Sequence, residues 1–196
     1  NSYSFTDNYE YVRSYIEDAD LALCNVETTF RGGQPHGYPT FNAPDELAYA
    51  LADVGFDVGI TSNNHMMDTG FDGMQRTLEV LRNQGMTTVG SRYAGEDTWS
   101  LIEKNGLKIG LVAYTYESPM TASGAVSING NYVSKEAAEL INSFNTDEME
   151  EDLGKITADI KSAKEAGADI VVCYMHWGNE YQREPNDDQI RLAQSL

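Results

Sequence analysis

Apolar positions along the chain change their spacing repeatedly, and each change of spacing marks an element. Leu47, Ala50, Leu51 and Val54 share one helical face. Asn42-Ala43-Pro44-Asp45 precedes them as a helix start, with Pro suited to the first turn, and Gly55 closes the segment. Phe71, Met74, Leu78 and Leu81 predict a second helix over 69–84, followed by Gly85. Met149, Leu153, Ile156, Ile160 and Ala163 predict a longer amphipathic helix over 146–166, ended by Gly167. Residues 7–18 and a stretch from about Asn186 also read as helical.

Between these lie short apolar runs at 21–26, 56–61, 87–89 and 169–175, which read as strands, the last as a buried one. The runs 99–103 and 108–114 flank Asn105-Gly106, the strongest short hairpin signal. Residues 116–135 hold Gly, Ser, Asn and Pro and read as a long loop, of the kind that often carries function in a compact domain. Helices alternating with strands predict an α/β domain.

With 196 residues, 41% of them hydrophobic, the chain is long enough for one domain with a real core. Its 31 Asp and Glu against 13 Lys and Arg give a net charge of −18. That excludes a general nucleic-acid binder and disfavours unaided binding to an anionic membrane, since both need a basic surface. Cys24 and Cys173 lie in apolar runs and read as buried free thiols, with no CxxC pair for a zinc site. No run of about 18 apolar residues is present to span a bilayer.

Three polar clusters each follow the carboxyl end of a predicted strand. They are Asn25-Val26-Glu27, Asn63-Asn64-His65 with Asp68, and His176-Trp177-Gly178-Asn179-Glu180-Tyr181. Ligand sites of open α/β sheets gather at such ends. Carboxylate, amide oxygen and imidazole suit Mn, Fe, Zn or similar divalent ions. Each element also has a plainer reading. Glu27 can be an exposed carboxylate, Asn63 and Asn64 turn residues, Asp68 a helix N-terminal acid, and His176 a satisfied buried histidine. Trp177 reads as packing, and His36 as an exposed loop residue.

The order of these clusters, with Phe41-Asn42-Ala43-Pro44, Gly55-Phe56-Asp57-Val58, Ser62 through Gly70, Gly90, Pro185 and Gln189, resembles the CapA-type poly-γ-glutamate capsule-biosynthesis proteins. That family looks like a branch of the calcineurin-like metallophosphoesterases. The resemblance covers nearly the whole chain. It implies a layered α/β/β/α sandwich and a single domain over residues 1–196. It also implies two metal ions about 3.5–4 Å apart that clamp a phosphoryl group during hydrolysis. Glu27, Asn64 and His176 would be metal ligands. His65 would act as acid or charge stabiliser, with Asp68 orienting its ring. Trp177, Glu180 and Tyr181 would line the approach for substrate.

The family's opening strand ending in Gly-Asp and its later Gly-x-His-x-His segment are not in this sequence. The expectation is therefore an internal fragment, incomplete at both ends, with weak or absent metal binding of its own. Its sheet would keep an unpaired edge. The intact protein would be extracytoplasmic and membrane-anchored, with capsule-synthesis machinery as partner. Three functions compete: a phosphoesterase acting on a phosphorylated or anionic polymer, a non-hydrolytic factor that assembles or transports the polymer, and a domain whose site has decayed. A −18 surface repels a polyanion, so direct capture needs metal ions or a local basic patch.

Overall fold

The computed structural model describes residues 3–118 and 125–196. After a 3-10 turn at Thr6–Tyr9 and a short helix α1 (Arg13–Glu17), the chain builds a parallel three-stranded sheet. Its strands are β1 (Leu23–Asn25), β2 (Val58–Ile60) and β3 (Thr87–Val89), in that order. Helix α2 (Glu46–Asp53) connects β1 to β2, and α3 (Gly70–Asn83) connects β2 to β3. Parallel neighbours need such crossovers, and these two helices cover one face of the sheet.

A second sheet forms around the long strand β5 (Leu107–Tyr116). It pairs antiparallel with β4 (Trp99–Lys104) across the Asn105-Gly106 turn, where both residues have positive φ, +52° and +80°. A small hairpin, β6 (Ser127–Ile128) and β7 (Asn131–Tyr132), then leads to a single helical turn, α4 (Lys135–Ala138). Strands β8 (Ser143–Phe144) and β9 (Ile170–His176) pair parallel to β5. Helix α5 (Met149–Glu165) precedes β9, and α6 (Asp187–Ser195) follows it.

Alternation along β5 explains the stacking. Leu111 and Ala113 face the first sheet, packing with Val58, Ile60 and Val89. Val112 and Tyr114 face the other way, onto Ile156 of α5 and Leu192 of α6. Gly110 shares that outer face, where a Cβ would stand 3.0 Å from the Ala163 Cβ, so its lack of side chain sets how closely α5 lies on the sheet. On the far side of the first sheet, Val26, Phe30, Ala48, Leu51, Val80 and Leu81 form the core under α2 and α3. The layers are thus α/β/β/α, as the resemblance implies.

The helices over 46–53, 70–83 and 149–165 and the hairpin at 105–106 match the periodicity. Three expectations change. Residues 7–18 form two short pieces with no buried residue, because their apolar positions find no continuous partner. The 116–135 segment contains β6, β7 and the start of α4, turned by Asn129-Gly130 at φ +51° and +76°; its residues 119–124 lie outside the described residues. Strand β9 is not fully buried: Ile170 and Val172 are exposed, since β9 pairs with β5 alone and forms a sheet edge among the described residues. Strand β1 is likewise an edge, with β2 as its partner. Cys24 and Cys173 are free and half-buried, packed in the two different outer layers. Burial pushes the Cys24 thiol up to about 12 and the Cys173 thiol up to about 11, so both are inert at neutral pH.

Two glycines separate a required from a dispensable lack of side chain. Gly90, just after β3, has φ +108°, and a Cβ there would stand 2.5 Å from the Ser62 amide nitrogen. Gly154 lies inside α5 with nothing within 4 Å of its Cβ position. Gly90→Ala is expected to cost about 2–3 kcal/mol in urea denaturation. Gly154→Ala is expected to raise stability by about 0.5–1 kcal/mol.

Candidate functional site

Strands β1, β2 and β9 end at one edge of the sandwich, and the three polar clusters emerge there. Asn63 joins the first two. It is fully buried. Its Nδ2 donates to the Val26 carbonyl at 2.9 Å and to Asn25 Oδ1 at 3.2 Å. Its Oδ1 accepts from the His65 amide at 3.0 Å, a side-chain turn of the kind Asn favours. Asn25 Nδ2 in turn donates to Glu27 Oε2 at 2.7 Å. The exposed Glu27 carboxylate is thereby held by a chain of amides that runs from β2 back to β1.

Asn64, next to that hub, points to the second sheet. His176 Nε2 and Asn64 Oδ1 are 3.0 Å apart. The His176 ring also stacks on Tyr116 at 6.2 Å between centroids, nearly parallel at 7°. Burial pulls the His176 pKa below the usual histidine value, with Glu27 opposing and His65 reinforcing the shift. A neutral imidazole with an available lone pair is the form that binds metal.

His65 and Asp68 form the second half of the site. His65 Nδ1 and Asp68 Oδ2 are 2.7 Å apart, and the Asp68 side chain is fully buried. Asp68 Oδ2 also accepts from the Phe41 amide at 2.6 Å, and Oδ1 from Asn131 Nδ2 at 3.3 Å. The Phe41 ring meets the His65 ring edge-on at 4.5 Å. With Nδ1 engaged by a carboxylate and the ring clamped, Nε2 is the nitrogen left for chemistry.

Trp177 lies half-buried against the outer core and lines a cavity of about 280 Å³ with Tyr116, Met149 and the start of α6. The α6 start is a capping box in which Asn186 and Gln189 satisfy each other's backbone amides. Burial raises the Tyr116 pKa, and the exposed Glu180 is close enough for its charge to add to that rise, as does Glu27. Tyr181 stands outside the cluster, 96% exposed at φ +62°. His36 is an exposed loop residue, as expected.

Phe41, Asn131 and Tyr116 were not expected at the site. Phe41 opens a motif whose helix-start reading hid its contact with His65. Asn131 is carried by the hairpin that Asn129-Gly130 marks, the same signal recognised at Asn105-Gly106. Tyr116 had no signal, since a strand-end tyrosine reads as core.

The donor set can be tested against a metal ion. Among the described residues, no group of three His, Cys, Asp or Glu gathers around one point. Glu27, Asn64 and His176 offer one carboxylate, one carboxamide oxygen and one imidazole. Adjacent ligands of a six-coordinate ion with bonds near 2.1 Å stand about 3.0 Å apart. The His176–Asn64 separation fits such an edge, while the three residues alone do not complete a two-ion centre.

Comparison with known proteins identifies the family. The sequence model of the family described as "Bacterial capsule synthesis protein PGA_cap" matches residues 1–196. The chain is 25% identical to the "Capsule biosynthesis protein CapA" of Bacillus anthracis over 204 aligned residues, covering 100% of this chain and 46% of that protein. It is 32% identical to the "PGA biosynthesis protein CapA" of Bacillus subtilis (strain 168) over 154 residues, covering 77% of this chain and 36% of that protein. The chain thus spans less than half the length of these relatives.

Asp68 holds groups from three separate segments, so its loss should be costly. Asp68→Ala is expected to destabilise the chain by about 2–4 kcal/mol in urea denaturation, because the Phe41 amide and the His65 ring lose a buried acceptor. Asp68→Asn, which keeps one oxygen, is expected to recover about half of that loss.

Proposed function

The chain belongs to the PGA_cap family of bacterial capsule synthesis proteins, and from that premise we propose that its site is a metal-dependent phosphoesterase-like centre serving capsule polymer synthesis. The observation that carries the reading is the 3.0 Å approach of His176 Nε2 to Asn64 Oδ1 across the two sheets, the spacing of neighbouring ligands on one ion. Glu27, held by Asn25, supplies a carboxylate to the same edge. Glu27, Asn64 and His176 alone do not complete a two-ion centre. Bound divalent ions supply Lewis-acid polarisation of a phosphoryl group.

The protein's own residues then have separable tasks. His65, with Nδ1 held by Asp68, presents Nε2 to the phosphoryl oxygens or the leaving group and can hold or deliver a proton there. Asp68 keeps the ring in that orientation and stabilises the charged imidazole. Trp177 walls the adjoining cavity and Glu180 is the exposed acid of the approach, while Tyr181 stands outside the cluster. The substrate class is a phosphorylated or anionic polymer, and the place of action is outside the cytoplasm, with the protein held to the membrane. No helix of the described residues is long and apolar enough to cross a bilayer.

A second reading keeps the family role and drops hydrolysis: a factor that assembles or transports the polymer. The absence of a three-ligand His/Cys/Asp/Glu group among the described residues favours it.

The two readings separate in a protein of the relatives' full length, assayed with Mn²⁺ on a phosphomonoester and a phosphodiester. The phosphoesterase reading expects His65→Ala to lower kcat by roughly 10²–10⁴ with metal content unchanged. It expects His176→Ala to lower bound metal as well. Turnover unaffected by either substitution would overturn the assigned roles, and no turnover with stoichiometric metal would favour the non-hydrolytic factor.

A further inference from the structure

On the outer side of the second sheet lies a cavity of about 510 Å³ that the site above does not use. Two charged residues in its wall are unusual. Arg13, Arg76 and Arg82 each hold a carboxylate at 2.7 Å. Arg92, half-buried just beyond β3, has no ion pair among the described residues. Its guanidinium donates instead to neutral oxygens, Asn142 Oδ1 at 2.7 Å and the Glu139 carbonyl. Asp159 of α5 likewise has no cationic partner there and accepts only the Tyr114 hydroxyl, at 2.6 Å. The two face one cavity near enough for Asp159 to act electrostatically on Arg92, yet they do not pair.

Arg31 and Arg183 also lack an ion pair among the described residues, but both are exposed; Arg92 is the half-buried arginine without one. Lys155, the other cation in the wall, is already held by Asp152 at 2.7 Å and Glu151 at 3.4 Å. Glu117 accepts the Ser143 hydroxyl at 2.7 Å and also walls the 280 Å³ cavity beside Trp177.

We propose that this cavity binds an α-amino-acid head group, with Arg92 taking the α-carboxylate and Asp159 the α-ammonium. Arg92 and Asp159 face the same space without pairing, in a wall that also holds Lys155, Glu117 and Glu139, and together they match a ligand carrying both charges on one carbon. Arg offers a fork for the carboxylate, and the two charged hydrogen bonds are the strong kind. The ligand head is electrically neutral overall, so the −18 charge does not repel it as it repels a polyanion. A γ-linked polyglutamate chain carries free α-ammonium and α-carboxylate together only at its amino end. Its other residues carry the α-carboxylate alone. Identifying the head group with that chain end rests on the capsule-polymer reading; the cavity's preference for an α-amino acid does not. The wall shared at Glu117 then lies between the bound end and the cavity beside Trp177.

The test is calorimetric titration of the chain in EDTA, which removes any dependence on the metal site. The probes are D- and L-glutamate, γ-glutamylglutamate, and glutarate, which lacks the amine. At least one amino-acid probe is expected to bind, with glutarate about tenfold weaker or worse. Asp159→Asn, which still accepts the Tyr114 hydroxyl, is expected to lose about tenfold or more in affinity with an unchanged melting curve. Arg92→Gln is expected to lose binding too, and Asp159→Asn keeps the proposal testable if that variant unfolds. Binding of γ-glutamylglutamate supports the chain-end version. Binding of free glutamate without the dipeptide supports the amino-acid site and overturns its link to the polymer. The proposal itself is overturned if no amino-acid probe binds up to about 10 mM, if glutarate binds as well as glutamate, or if Asp159→Asn changes nothing.

Discussion

The dry contact between the two sheets is the constraint on which the site depends. Val58, Ile60 and Val89 on one side meet Leu111 and Ala113 on the other, and each of these side chains is at most 3% exposed. Close packing of this kind allows little sliding, so the ends of β2 and β9 are held opposite each other. Asn64 and His176 belong to different sheets, 112 residues apart in sequence. Their 3.0 Å approach is therefore a product of the apolar layer beneath them, not of any local segment.

The same interface changes character toward the strand ends. Two residues beyond Ile60 stands Ser62, and two beyond Ala113 stands Thr115, both fully buried. Neither hydroxyl has a hydrogen-bond partner among the described residues. Unpartnered buried hydroxyls cost about 1–3 kcal/mol each, and sites of function are where such costs are tolerated. Gly90 presses on Ser62 from β3, and Thr61 bonds Ser91 at 2.8 Å, so this polar fringe is as tightly fitted as the apolar part. The fringe forms the floor under Asn63, Asn64 and His65, which explains why a turn of amides can be held rigidly at the end of short strands.

Most of the architecture was legible because it is written in short-range spacing. The helices under α2, α3 and α5 follow from apolar positions three and four residues apart, with glycine beyond their ends. The hairpin follows from Asn105-Gly106. What escaped was decided by partners distant in sequence. The first helical stretch has the residues but no surface to bury them against, so it breaks into two turns. Strand β9 reads as fully buried, but it is a sheet edge, and its outer neighbours determine exposure. At the site, the strand-end positions of Glu27, Asn64, His65 and His176 were readable from local pattern. The family resemblance supplied their roles. The roles of Phe41 and Asn131 were not readable, because a backbone amide bonding Asp68 from 27 residues away leaves no mark in either segment.

Charge bears on how a strongly acidic chain is compatible with the anionic polymer proposed for it. Its carboxylates fall into distinct classes. Many exposed ones carry the net charge and keep polyanions at a distance. A few are consumed by Arg13, Arg76 and Arg82, which tie segments of the first half together, as Arg76 ties Asp45 at the start of α2 to α3. Asp68 is buried, and its oxygens are held by a backbone amide, a carboxamide and an imidazole rather than by an Arg or Lys. Burial raises the Glu117 pKa, with the Ser143 hydroxyl opposing the shift. Long-range repulsion and short-range acceptance are thus properties of different carboxylates, and the net charge of −18 describes only the first.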